Sequence, residues 1–133
     1  MFFLFACEVV VISWYSEQHY GKNVNRKFDE LYYNMFFKKG QKILDIGCST
    51  GNFIAQDPEN MIGLEVDKDA IKVARSRGFK VIELKDRKLP FKSNTIENVH
   101  TKHVIEHIED SLFFMKEIFR IMKKKWKACA CYR

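Results

Sequence analysis

Residues 43–53, Ile43-Leu44-Asp45-Ile46-Gly47-Cys48-Ser49-Thr50-Gly51-Asn52-Phe53, with Gly63-Leu64-Glu65-Val66-Asp67 a short distance on, decide how this chain reads. Lys42 to Ile46 is a short, β-branched, apolar run that predicts a strand, and the GCSTG that follows predicts a tight turn into the brief helical start Asn52–Gln56. Met61 to Val66 predicts a second strand carrying an acid, Glu65, twenty residues after Asp45. In a nucleotide-binding βαβ unit, a turn bare of side chains lets the backbone approach the ligand, and an acid at the end of the second strand accepts hydrogen bonds from ribose hydroxyls. Gly47 and Gly51 suit the first task and Glu65 the second.

The chemistry of the turn is narrower than that. A dinucleotide fingerprint is G-x-G-x-x-G, whereas these glycines are spaced G-x-x-x-G with an acid two residues ahead of the first. A pyrophosphate favours bare amide donors at a helix start; a ligand with a cationic sulfonium and an ammonium is better matched by a nearby carboxylate. No Gly-Lys-Ser/Thr follows the turn, which excludes a P-loop.

Working outward, residues 14–39 mix aromatics with charge, and Phe28, Leu31, Tyr32 and Met35 fall on one helical face; Gly40 ends that helix. A second helix is expected to open at Asp67, capped by Asp67 or Asp69, with Ala70, Ile71, Val73 and Ala74 as its apolar stripe and Gly78 just past its end. Phe79–Leu84 predicts a third strand, Leu89-Pro90-Phe91 with Ser93-Asn94 a loop, and Ile96–His100 a fourth strand. Asp110 or Ser111 is expected to cap a final helix bearing Leu112, Met115, Ile118, Phe119 and Met122. This alternation predicts an α/β, Rossmann-like, doubly wound and mostly parallel sheet flanked by helices, with ligands beyond the carboxyl ends of the strands.

The bulk numbers bound the rest. At 133 residues the chain suits one domain. Its net charge of +6 is concentrated in residues 112–133, which carry seven bases against Glu117, while the first 111 residues balance 16 against 16. Such a tail fits a solvated helix end and gives no specific nucleic-acid signal. Cys7, Cys48, Cys129 and Cys131 form neither a C-x-x-C pair nor an even framework, which predicts a reducing, cytoplasmic setting. The apolar opening, residues 1–13, is interrupted by Glu8 and is too short for a membrane span, so it reads as an arm. Cys48 reads as a small turn residue rather than a nucleophile.

The constellation resembles the class I S-adenosylmethionine-dependent methyltransferase family, of the type 11-like group whose first motif is L-D-I-G-C-x-T-G. The resemblance covers about residues 28–125 and rests on ILDIGCSTGNF, MIGLEVDKDAIKVA, KLPF, NTIENVHTKHVIEHIED and MKEIFRIMKK in family order. It implies S-adenosyl-L-methionine as cofactor and an unidentified methyl acceptor, a small molecule rather than a macromolecule. It also implies cofactor-binding roles for Asp45, Gly47, Cys48, Ser49 and Gly51 along the methionine half, Glu65 at the ribose, Asp86 near the adenine, and His103 in the loop Thr101–His103 closing over the site. Three departures stand out: Ser49 replaces the usual central glycine, Asp86 lies one residue nearer to Leu-Pro-Phe than the family acid, and polar His100 interrupts the fourth strand.

His103-Val104-Ile105-Glu106-His107 is also H-x-x-E-H, a zinc-peptidase signature in which two histidines on one helical face hold the metal and the glutamate acts as base. The peptidase needs a further ligand well downstream on another helix, but only 26 residues follow His107, with Glu109, Asp110 and Glu117 as their acids, so no metal site is expected. In the methyltransferase reading the same pentapeptide starts a helix beside the cofactor, and His103 and His107 are the catalytic candidates if the acceptor must lose a proton. Family members continue with a fifth strand and a reversed hairpin; here residues 126–133 read as an atypical tail without a useful strand. That predicts a partial domain whose last strands are missing, whose fourth strand is a bare edge, and which serves either as a methyltransferase or as a non-catalytic cofactor-binding fragment.

Overall fold

The computed structural model describes residues 22–124 and 128–131, and the side chains of 27–124. The apolar arm, the first residues of the aromatic segment and part of the basic tail lie outside the described residues. Strand β1, Ile43–Ile46, is buried at all four positions, because neighbours pair on both of its edges and packed layers cover both of its faces. The other strands are β2 Met61–Glu65, β3 Val81–Glu83, β4 Asn98–Lys102 and β5 Ala128–Cys131. They form one sheet in the order β3-β2-β1-β4-β5, every pair parallel. The chain therefore winds outward from β1 to one side, then crosses to start the other. The carboxyl ends of β1 and β4 meet at this reversal, where such sheets take their ligands.

Helix α1, Lys22–Phe36, and helix α2, Lys68–Ser76, share one face of the sheet: Tyr32, Tyr33 and Phe37 pack with Ile43, Phe53, Ile54, Met61, Ile71, Ala74 and Val81. Helix α3, Ser111–Ile121, covers the other face through Phe114, Ile118 and Ile121 against Leu44, Ile46, Leu64 and Val99. Asp67 caps α2 by accepting from the amides of Asp69 (2.8 Å) and Ala70 (3.2 Å), and Gly78 follows the helix at φ +85°, as expected of both.

Three expectations need correction. First, residues 128–131 do form a strand. Val99 to Lys102 pair with Ala128 to Cys131, so β4 is an interior strand, and among the described residues β3 and β5 are the edges. Parallel pairing draws on backbone donors and acceptors, which Ala and Cys supply although neither carries the β-branched signature used to find strands. Second, β4 runs two residues later than expected, so His100, Thr101 and Lys102 all lie within it. Third, the buried faces of two helices are rotated from their expected positions. In α3, Leu112 and Phe119 are exposed while Glu117 is buried; in α1, Leu31 and Met35 are exposed while Asp29 is buried. A charged residue on each inward face misled a reading that sought only apolar stripes.

Candidate functional site

The turn after β1 folds back on β2. The Gly47 amide donates to the Leu64 carbonyl (2.7 Å), and Gly51 closes the turn on the Cys48 carbonyl (2.9 Å). Gly47, Ser49 and Gly51 all take left-handed backbone, at φ +75°, +49° and +87°. Ser49 thus adopts the conformation that a glycine there takes freely, at a cost on the order of 1 kcal/mol. A Cβ on Gly47 would strike Val104, and one on Gly51 would strike Phe79, so both glycines allow a close approach as well as a turn. Arg77 holds the outside of the turn, donating to the Thr50 carbonyl (2.7 Å) and to Asn52 Oδ1 (2.9 Å).

Glu65 ends β2 facing this turn. Its Oε2 accepts from the Ser49 amide (2.7 Å), and its Oε1 accepts from the amides of Val66 (2.8 Å) and Asp67 (3.1 Å). Each carboxylate oxygen has two acceptor sites, so Oε2 keeps capacity for one more donor. Beside the turn lies a cleft of about 910 Å³, lined by Asp45, Gly47, Cys48, Ser49, Glu65, Asp86, His103 and His107 among the expected residues. Apolar Leu64, Val66, Leu84 and Phe114 line it too. Its size falls within the range of small-molecule sites, roughly 300–1,000 Å³.

Seven of the eight expected cofactor residues therefore meet at one cleft. Gly51 does not line it and instead packs against Phe79. Cys48 is buried, with its Sγ so close under Gly63 that a Cβ there would collide with it. Burial, reinforced by Asp45 and Glu65, pushes its thiol up to about 12, so it carries no thiolate at neutral pH. His103 has left-handed backbone (φ +55°) and hydrogen-bonds Glu106 (3.3 Å), and only Ile105–His107 forms a short 3-10 turn. The helix expected over this pentapeptide does not form, and with it goes the helical face that the zinc-peptidase reading requires. Among the described residues no three metal-ligating side chains converge.

Sequence reasoning placed Asp45 at the site but missed the rest of its polar floor. Asp45 and His100 are register partners on β1 and β4, both buried, and His100 Nδ1 lies 2.6 Å from Asp45 Oδ1. The imidazole stacks on Phe53 at 3.6 Å between ring centres, 11° from parallel. Asp29 of α1 reaches Lys102 Nζ (3.4 Å), and all five of these residues line the cleft. Burial raises the Asp29 carboxyl above its ordinary value, against the opposing pull of Lys102 and His100. The signal was present in the sequence: Asp45 and His100 each interrupt an apolar strand, and β1 and β4 are neighbours in any sheet of this winding.

Comparison with known proteins agrees with this architecture. A family profile described as a methyltransferase domain matches residues 44–127. A Methanocaldococcus jannaschii protein, itself uncharacterized, is 35% identical over 85 residues, covering 63% of this chain and 40% of its own length. The sterol 24-C-methyltransferase of Schizosaccharomyces pombe is 25% identical over 124 residues, covering 83% of this chain and 32% of the enzyme. Among solved structures, a SAM-dependent methyltransferase from Thermotoga maritima superposes with a TM-score of 0.67 at 25% identity, over 78% of this chain and 49% of that one. The chain thus spans less than half the length of each of these relatives. With the profile matching well over half of its residues and the Rossmann-like sheet in place, the chain belongs to the S-adenosylmethionine-dependent methyltransferase family.

Proposed function

We propose that this domain holds S-adenosyl-L-methionine in the cleft beside the glycine turn and transfers its methyl group to a small-molecule acceptor, in the cytoplasm. The observation that carries this reading is Glu65, which ends β2 on the cleft with acceptor capacity left on Oε2 next to a turn with no Cβ at Gly47. The donor set fits the group: a carboxylate for the ribose hydroxyls, Asp45 toward the cationic methionine half, exposed Asp86 on the adenine side, and apolar Leu64, Leu84 and Phe114 for a flat base.

When bound, the cofactor supplies a methyl group on an already activated leaving group. The work left to the chain is alignment and exclusion of water. The missing Cβ of Gly47 lets Val104 pack against the turn, and Phe113 and Phe114 line the cleft with it. His103 and His107 both line the cleft and can take a proton from an acceptor that must lose one. The small-molecule reading draws on the concave, partly apolar cleft, and the cytoplasmic one on cysteines without a disulfide framework. Among the described residues no helix is long and apolar enough to cross a membrane.

Calorimetry with the cofactor tests the Glu65 assignment. Glu65→Ala should weaken binding by about 1.5 to 3 kcal/mol, the worth of hydrogen bonds to a charged group. Because Glu65 also braces the amides of Ser49, Val66 and Asp67, Glu65→Gln is the companion variant: it keeps one acceptor oxygen and should fall between the two. Equal affinities in all three proteins would remove Glu65 from the site.

A further inference from the structure

Lys85, Asp86 and Arg87 line one side of the cleft, in a stretch of chain anchored at both ends. At one end the Leu84 amide donates to the Glu65 carbonyl (2.8 Å); at the other the Leu89 amide donates to Glu117 Oε2 (2.9 Å), and the Leu89 carbonyl accepts from Arg120 Nη2 (3.0 Å). Between these anchors, Arg87 reaches across to the start of α3. Its Nη2 donates to Asp110 Oδ2 (2.8 Å), and its guanidinium lies 5.1 Å from the centre of the Phe113 ring. Asp110 is itself fixed, because its Oδ1 caps α3 by accepting from the Phe113 amide (3.0 Å). All three residues line the cleft, yet the Arg87 and Asp110 side chains are 71% and 48% exposed, which puts the pair at its rim.

We propose that Arg87, Asp110 and Phe113 form a clasp joining two walls of the cleft, which opens to admit the cofactor and, once closed, slows its departure; Arg87 is then a positioning residue that acts through α3. The inference rests on the cofactor reading above and adds to it a device that governs residence time. Folding gains little from these contacts: an exposed ion pair and an exposed cation–π contact are each weak and readily broken. Their consequence comes from where they lie. The two walls belong to different elements, the segment after β3 and the first turn of α3. Arg87 ties them with a planar group that pairs with a carboxylate along its edge and covers a ring with its face. A contact of this strength opens without help and still slows the release of whatever lies behind it.

Surface plasmon resonance of the full chain with S-adenosylmethionine tests the clasp in Arg87→Ala, Asp110→Asn and the double variant. Asparagine keeps an oxygen to cap α3 and loses the charge that pairs with Arg87. Each single substitution should speed dissociation about threefold to tenfold, the double variant should be no faster than the quicker single one, and urea midpoints should stay close to wild type. Arg87→Lys keeps the charge without the planar group, so its rate should fall between wild type and Arg87→Ala. The signs separate a clasp from a simple charge effect. S-adenosylmethionine is a net cation, so removing a cation from the cleft would by charge alone tighten binding and removing an anion would weaken it. The clasp predicts weaker binding from both. Arg87→Ala that holds the cofactor as long as wild type or longer, or losses that multiply in the double variant, would overturn the inference while leaving the cofactor reading intact. Wild type that binds no cofactor would overturn that reading and this inference together. Should the alanine variant fail to fold, Arg87→Lys reads the same rate at the same position, and a rate equal to wild type there would also overturn the clasp.

Discussion

Single residues explain both what the sequence disclosed and what it withheld. Glu65 and Gly47 were legible because spacing alone defines their roles: a turn that must lack a side chain, and an acid at the end of the next strand. His100 was visible only as an exception to an apolar strand. Its meaning comes from a partner 55 positions away, and no local pattern carries that pairing. Thr101, its neighbour in β4, is also buried, and its Oγ1 has no hydrogen-bond partner. A buried hydroxyl left unpaired costs stability, whereas a methyl of similar size does not. Thr101→Val is therefore expected to stabilise the domain by about 1 kcal/mol, seen as a higher denaturation midpoint at unchanged slope. A loss of stability would mean that the hydroxyl is satisfied.

Among the elements, strands β1 and β2, the start and cap of helix α2 and the glycine turn were readable because propensity and capping agree there, although Val73 of the expected α2 stripe is exposed. The faces of α1 and α3 were not, because each turns a carboxylate inward. In α3 the inward residue is Glu117. It forms paired bonds of 2.7 Å with Arg120 Nε and Nη2 and accepts from the Leu89 amide at 2.9 Å, while Arg120 also donates to the carbonyls of Leu89 and Phe91. The bonds from Arg120, and then the Leu89 amide, hold the Glu117 carboxyl below the ordinary carboxylate range despite its burial. A folded-state value lowered in this way gives stability that is fully present above the unfolded value, about 4.3. That stability is lost as pH falls through the lower folded value. Glu117→Gln should therefore be less stable than wild type at pH 7, and the gap should narrow as pH falls below about 4. Urea titrations at pH 7 and pH 3.5 check this; a gap that widens in acid would contradict it. The strand at 128–131 was missed for a different reason. Its pairing partner is fixed by the sheet, and nothing in Ala-Cys-Ala-Cys announces it.

At the scale of the whole molecule, the fold class followed from the alternation of strand and helix signals, and the sheet order places the reversal between β1 and β4 beside the cleft. The acceptor was not legible from sequence or fold, because methyl transfer places few demands on side-chain identity and one architecture serves many acceptors. The fold's first commitment is to the cofactor. Equilibrium titration of the chain with S-adenosylmethionine tests this commitment most directly. The account predicts one saturable site, competition by S-adenosylhomocysteine, and a denaturation midpoint that rises with cofactor concentration, the gain in stability reaching about 2.7 kcal/mol at one hundred times Kd. A chain that is folded by circular dichroism yet shows no saturable binding and no shift in midpoint would contradict it.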